Sequence, residues 1–180
     1  FDLGGIGKSP ARLDFKKLEH VAGYHISRMD DDDLLTEIDR FLAATQQEPL
    51  SPAQKDGLRA AMYCLKDRAR SLPQLIEKAY FVLNSHPIDR DEKSRESLTD
   101  VSRGILKELT PQLQNASWTR DTLEAIVGQV SEAHGVKLGK VAPALRAALA
   151  GRPVSPSVFD MMLVLGREET LARLSDAVAA

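Results

Sequence analysis

The chain predicts an all-α protein of about nine helices joined by short loops, on three observations. Aromatic residues make up only 5% of its 180 residues against 43% apolar residues overall, and Ala and Leu are plentiful, a mix that favours helix over strand. Apolar side chains recur at helical spacing along most of the sequence, and no alternating stretch is long enough for a useful strand. Two Ser-Pro pairs, Ser51-Pro52 and Ser155-Pro156, read as N-caps followed by proline at the first helical position, where its missing N–H costs nothing.

Residues 1–15 are expected to be a loop, because Gly4, Gly5, Gly7 and Pro10 break any period. Residues 16–27 predict a short helix weakened by Gly23. Residues 31–43 predict a helix with Leu34, Leu35, Ile38, Phe41 and Leu42 on one face and aspartates in its first turn, where the helix dipole favours them. Ser51-Pro52 opens a helix through Leu58, Ala61, Met62, Leu65 and Leu72, ended or kinked by Pro73. Residues 74–83 predict another, with Leu75, Ile76, Ala79 and Leu83 inward.

His86-Pro87 marks a break, and a subdomain boundary is placed near it. Beyond it, residues 91–109 predict a helix ending before Pro111. Ser117 is expected to cap a helix carrying Leu123, Ile126, Val127 and Val130, closed by Gly135. A helix over about 140–150 follows, with Pro143 in its first turn and Gly151 after it. Ser155-Pro156 should open a helix over 156–165, and a last helix should run from about 167 to 178. No heptad array or internal repeat is present.

Composition narrows the function classes. Cys64 is the single cysteine, which excludes an intramolecular disulfide and a cysteine metal cluster and fits a reducing compartment. No run of about 18 apolar residues exists, so no membrane-spanning helix is predicted. The N-terminus carries no signal-peptide pattern, and Phe1 in place of Met reads as a chain that begins inside a longer one or after processing. His20 and His25 lie five apart, the wrong interval for a metal pair on one helix face, and no Cys or carboxylate completes a set. Cys64, beside Met62 and Leu65 and without a nearby His, is expected to be a buried structural residue.

The net charge of −2 argues against nucleic acid if taken alone, but the charge is segregated. Residues 28–50 hold seven acids against Arg28 and Arg40, whereas residues 52–83 hold six bases against three acids. Residues 133–159 hold Lys137, Lys140, Arg146 and Arg152 and no acid. If 53–72 is one continuous helix, Lys55, Arg59, Lys66 and Arg70 fall within a ~60° stripe suited to phosphates. Arg68 lies off it, beside the apolar arc, where a guanidinium held still by packing suits base edges. The alternative is an ordinary solvated face. In the second zone, Arg146 precedes an acid-free loop and the Ser155-Pro156 helix start. A loop and helix end of this kind offers N–H donors to a phosphate or to a splayed single-stranded base; plain capping is the competing reading.

Gly4-Gly5-Ile6-Gly7-Lys8-Ser9 invites a phosphate-loop reading, which fails on spacing. The motif needs glycine five residues before Gly7, and position 2 is Asp; Pro10 also stands where a helix should begin. A connector is the plainer reading.

Several segments together resemble a known family. Phe1-Asp2-Leu3, Ser9-Pro10-Ala11 and Asp14-Phe15-Lys16-Lys17-Leu18 look like the stretch that follows the catalytic domain of bacterial-type glutamyl-tRNA synthetases. Gly135-Val136-Lys137-Leu138-Gly139, Leu145-Arg146-Ala147-Ala148-Leu149, Ser155-Pro156-Ser157-Val158-Phe159 and Leu165-Gly166-Arg167-Glu168-Glu169-Thr170 match the family's C-terminal end in order and spacing. Trp118-Thr119 sits where the family tends to carry such a pair. Two positions depart from the family: Ala22-Gly23-Tyr24-His25-Ile26 replaces an Asn-Gly-x-Tyr-Ile pattern, and Ser157 stands where glycine is common.

The resemblance implies an all-α anticodon-binding cage of two subdomains, 30–88 and 89–180, preceded by an irregular end of the stem-contact region over 1–29. It implies that the parent is a class I glutamate–tRNA ligase, cytoplasmic and monomeric, with tRNA(Glu) as partner. Arg68 corresponds to a contact near the third anticodon base, and Arg146, Ser155, Pro156 and Val158 to contacts around the first two. Lys66, Arg70, Lys137 and Lys140 are the expected phosphate contacts. ATP and Mg²⁺ would belong to a catalytic domain absent from this chain, since neither a His-x-Gly-His nor a Lys-x-Ser-Lys signature occurs in it. No cofactor and no catalytic activity are expected of the chain alone. An all-α protein-interaction module, which the near-neutral charge favours, is the alternative.

Overall fold

The computed structural model describes residues 14–179, and the glycine-rich stretch 4–9 with the other motifs of 1–13 lies outside them. Among the described residues all regular structure is helical. In chain order the helices are α1 (Phe15–Arg28), α2 (Asp31–Ala44), α3 (Pro52–Leu65), α4 (Leu72–Lys78), α5 (Tyr80–Leu83), α6 (Glu92–Glu96), α7 (Asp100–Gln114), α8 (Arg120–Ala133), α9 (Leu138–Leu149) and α10 (Val158–Ala179), with a 3-10 turn at Lys66–Arg68. None is long and apolar enough to cross a membrane.

Local chemistry sets most of the starts. Asp14, Asp30, Ser51, Ser71, Asp91, Thr99 and Thr119 each accept a backbone N–H from the first turn that follows, which satisfies one of the orphan donors there. At Ser51 the cap is reciprocal: the Gln54 side chain accepts the Ser51 N–H at 2.9 Å while the hydroxyl accepts the Gln54 N–H at 3.3 Å.

The structure departs from the sequence expectations in several places, and the single helix expected over 74–83 is divided at Ala79 into α4 and α5. The helix from Pro52 stops at Leu65, and Pro73 begins α4 instead of ending α3. A proline ring clashes with the carbonyl four residues earlier, and Ala69 is already extended (φ −97°, ψ 134°). The 91–109 segment is two helices, because Thr99 caps a new one, and Pro111 lies inside α7. Thr119, not Ser117, caps α8. Helix α9 begins at Leu138, which moves Pro143 out of the first turn. Helix α10 begins at Val158, and the Met161 N–H donates to the Ser157 carbonyl at 3.0 Å, so Ser155-Pro156 lies in the approach loop. The expected break between 165 and 167 is present: Gly166 is non-helical (φ 74°, ψ 176°) and divides α10 into two helical stretches.

Gly23 does not simply weaken α1. It is buried where Arg70 crosses the helix, and an added Cβ would lie 2.9 Å from Arg70 Cδ and 3.2 Å from the Ala69 carbonyl. The opposite face of α1, with Phe15, Leu18, Val21 and Tyr24, is exposed.

Helix α10 packs against α7 and α9 most extensively and also against α3 and α8. One hydrophobic cluster runs through the described residues, from Leu34, Ile38, Leu58 and Leu65 to Leu106, Leu109, Val127, Leu145 and Met162. Truncating any fully buried leucine of this set to alanine is expected to cost ~2–5 kcal/mol.

The segment around residues 84–91 is tied to the ends of α9 and α10. Arg173, 1% exposed, donates to the carbonyls of Asn84 (2.7 Å) and Leu149 (2.5 Å) and to Glu169 (2.7 Å). Arg90 donates to the Ala147 carbonyl at 3.1 Å, and the Asp91 N–H donates to the Gly151 carbonyl at 3.1 Å. Gly151 has φ 62°, and a Cβ there would sit 2.1 Å from the Asp89 carbonyl oxygen, so only glycine fits. Arg152 stacks on the Tyr80 ring at 3.9 Å.

Candidate nucleic-acid interface

The acidic stretch faces the first basic zone. Lys55 pairs with Asp39 at 2.6 Å, Arg59 with Asp32 at 2.7 Å, and Lys66 with Asp31 at 2.8 Å. Lys66 also donates to the Met29 carbonyl. Each exposed pair contributes at most ~1 kcal/mol, but together they neutralise Asp31, Asp32 and Asp39 of α2, while Glu37 pairs with Arg40. The continuous stripe of Lys55, Arg59, Lys66 and Arg70 therefore does not form: the helix ends first, and three of its cations already face acids.

What remains of that zone is a cluster at the end of α3. Arg68 and Arg70 are exposed and Lys78 is partly buried, and none forms an ion pair among the described residues. The Lys78 ammonium donates to the Arg68 carbonyl. Burial chiefly, with Arg68 and Arg70 close by and Glu77 opposing, lowers the Lys78 pKa. Sequence reasoning counted Lys78 in the basic zone without singling it out; its place beside Arg68 depends on the turn at 66–71.

The second zone lies along α9 and the loop into α10. Lys137 and Lys140 are exposed at the start of α9, and Arg146 is half-buried further along it. Their side chains make no ion pair or hydrogen bond among the described residues. Ser155 is half-buried, with its hydroxyl donating to the Pro156 carbonyl at 3.3 Å. Pro156 is buried and Val158 is 4% exposed, whereas Val154 at the start of this loop is exposed. The first N–H groups of α10 lie just beyond.

The first turn of α10 meets the last turn of α3 at the seam where those two helices pack. The Cys64 thiol, 8% exposed, is pushed up to about 11 by burial and by Asp160 of the first turn of α10, while Arg68 and Arg120 oppose the rise. Arg68, Asp160 and Arg120 thus lie within electrostatic reach of one sulfur. Asp160 is two residues beyond Val158, and its carboxylate pairs with Arg120. Helix α9, with Arg146, packs against the same α10. The loop before α8 is pinned there too: the Trp118 indole N–H donates to the Met162 carbonyl at 3.0 Å, and Arg167 covers the Trp118 ring at 5.5 Å. This gives Trp118-Thr119 a structural part as well as its place in the resemblance.

Among the described residues no three His, Cys, Asp or Glu side chains converge as metal ligands. The seam offers guanidinium groups, helix-start donors and apolar walls, a combination suited to unstacked bases held by a charged backbone.

Comparison with known proteins bears on the family of the chain. A family model described as an anticodon binding domain matches residues 33–178. The chain is 65% identical over 180 residues to glutamate–tRNA ligase 1 of Dinoroseobacter shibae, covering all of this chain and 38% of that protein. It is 63% identical over 179 residues to glutamate–tRNA ligase 1 of a Jannaschia species, covering 99% of this chain and 38% of that protein. The chain thus spans 38% of the length of these curated relatives. A crystal structure of a glutamate tRNA ligase from Elizabethkingia meningosepticum, in complex with its amino acid, superposes with a TM-score of 0.74 at 25% identity, over 100% of this chain and 35% of that one.

Proposed function

The chain belongs to the anticodon-binding domain family, and from that premise we propose that it grips the anticodon arm of tRNA(Glu) for a glutamate–tRNA ligase. Residues 30–88 and 89–180 act as two helical subdomains sharing one RNA path. Arg68 reads near the third anticodon base, and Arg146 with Ser155 reads around the first two. Pro156 and Val158, both buried, shape the loop backbone so that it meets a base edge. Arg70, Lys78, Lys137 and Lys140 hold phosphates, which position the arm without specifying sequence. Lys66 holds α2 in place and contributes to the phosphate field from there.

Activation of glutamate with ATP and Mg²⁺ belongs to the rest of such a ligase. The chain itself needs no cofactor and works as a monomer in the cytoplasm.

The observation that carries this reading is the distribution of unneutralised charge. Asp31, Asp32 and Asp39 of α2 are paired with Lys66, Arg59 and Lys55, whereas Arg68, Arg70, Lys137, Lys140 and Arg146 form no ion pair among the described residues, so a chain of net charge −2 still presents unpaired cations in both zones. A salt titration tests it. Affinity for an anticodon stem-loop RNA should fall steeply and linearly on a log–log plot as salt rises. A salt-independent interaction, or none with RNA, would instead favour the protein-interaction module.

A further inference from the structure

We infer that Tyr63 is a stacking platform for one unpaired base in the RNA path, a role that rests on the proposed anticodon reading and adds a residue to it. Tyr63 lies in the last turn of α3, at the seam with α10, and is 59% exposed. Its neighbours on α3, Met62, Cys64 and Leu65, are all buried, so the core does not account for an aromatic ring here. The ring is not adrift either. Its hydroxyl donates toward the Asp160 carbonyl at 3.5 Å, two residues beyond Val158. This weak contact at the tip orients the phenol toward α10 and leaves most of the ring open to solvent.

The electrostatic setting favours a nucleotide. The Asp160 carboxylate, which acts on the phenol, is mostly covered and paired with Arg120, which also binds Glu124 at 3.0 Å, so this acid does not present free negative charge to a phosphate. Arg68 follows at the end of the 3-10 turn, within electrostatic reach of the adjoining Cys64. Burial of the hydroxyl end, with Cys64 and Asp160 nearby, raises the phenol to about 12, so the ring stays neutral and acts as an aromatic surface at physiological pH. A neutral ring five residues before the unpaired Arg68 guanidinium resembles the pairing that single-strand binders use: the ring takes a base face and the cation takes the backbone.

The test uses an anticodon stem-loop RNA carrying 2-aminopurine at each anticodon position in turn, with the chain and its Tyr63→Phe, Tyr63→Leu and Tyr63→Ala variants. Because Tyr63 is exposed, these variants should fold, and circular dichroism verifies that. The expected result is quenching of 2-aminopurine at one position by the unaltered chain and by Tyr63→Phe, lost in Tyr63→Leu and Tyr63→Ala, with binding weaker by on the order of 10-fold. An Arg68→Ala control should weaken binding and leave the quenching of the bound RNA intact. Binding and quenching by Tyr63→Leu equal to those of the unaltered chain would overturn the platform and leave the anticodon reading standing. Failure of the unaltered chain to bind the RNA would overturn both.

Discussion

The Arg173 guanidinium donates to the Asn84 carbonyl at 2.7 Å across 89 residues of chain, joining α10 to the segment that precedes the second set of helices. The same group holds Leu149 and Glu169, and burial lowers its pKa while Glu169 opposes the drop. Replacing Arg173 by Met would strip the donor from the buried Leu149 carbonyl and the part-buried Asn84 carbonyl and leave Glu169 with only the His86 N–H. The expected loss of stability is ~3–5 kcal/mol, read from the urea midpoint; an unchanged midpoint would mean that water replaces the guanidinium without cost.

Gly151→Ala should destabilise through backbone and contact together. The position has φ 62°, and its Cβ would meet the Asp89 carbonyl at 2.1 Å. Left-handed strain at a non-glycine residue costs ~1–3 kcal/mol, and the clash adds to it. Gly139→Ala, with open space around the added atom, should be neutral or stabilising in the same unfolding experiment.

Stability should fall in mild alkali. The Cys64 thiol is raised from 9.0 to about 11 in the folded chain, chiefly by burial. A raised value means that the unfolded chain releases its proton first. The contribution is therefore complete below pH 9 and is lost as pH rises toward about 11. Urea midpoints at pH 8 and pH 10.5 measure the drop, which should be smaller in Cys64→Ala.

Lys66 and Arg68 should separate cleanly although they are two residues apart. Lys66→Ala removes a partner of Asp31 and should change RNA affinity by no more than ~0.5 kcal/mol. Arg68→Ala should weaken the stem-loop by ~1–3 kcal/mol and blur preference at the third anticodon base. Filter binding with RNAs varied at that base reads both; equal losses would place Lys66 on the RNA.

Helical class and most inward faces were legible because they are local: Leu34, Ile38, Leu58, Met62 and Val127 follow the 3.6-residue period and are buried. Boundaries were less so where two signals competed. Ser117 and Thr119 both look like caps, and Thr119 wins with its hydroxyl on the Thr122 N–H. Ser155-Pro156 has the local look of a helix start, yet the helix begins at Val158, after a loop that closes over α10. The charge zones were visible in one dimension only. That Asp31, Asp32 and Asp39 would neutralise Lys66, Arg59 and Lys55 depends on how α2 lies on α3, and no local pattern records it. Arg68, Arg146 and Ser155 were marked by residue type and resemblance, whereas Lys78 and Tyr63 required the turn at 66–71 and the seam with α10.

The central claim is that the two basic zones read anticodon bases and do more than hold phosphates. The most direct measurement compares the affinity of the chain for two stem-loops of identical length and stem, one with the tRNA(Glu) anticodon and one with an unrelated triplet, at a single salt concentration. A base-reading surface predicts tighter binding of the first by ~1–3 kcal/mol per altered base, a gap that narrows in Arg146→Ala. Equal affinity for the two loops, at any salt, would contradict it.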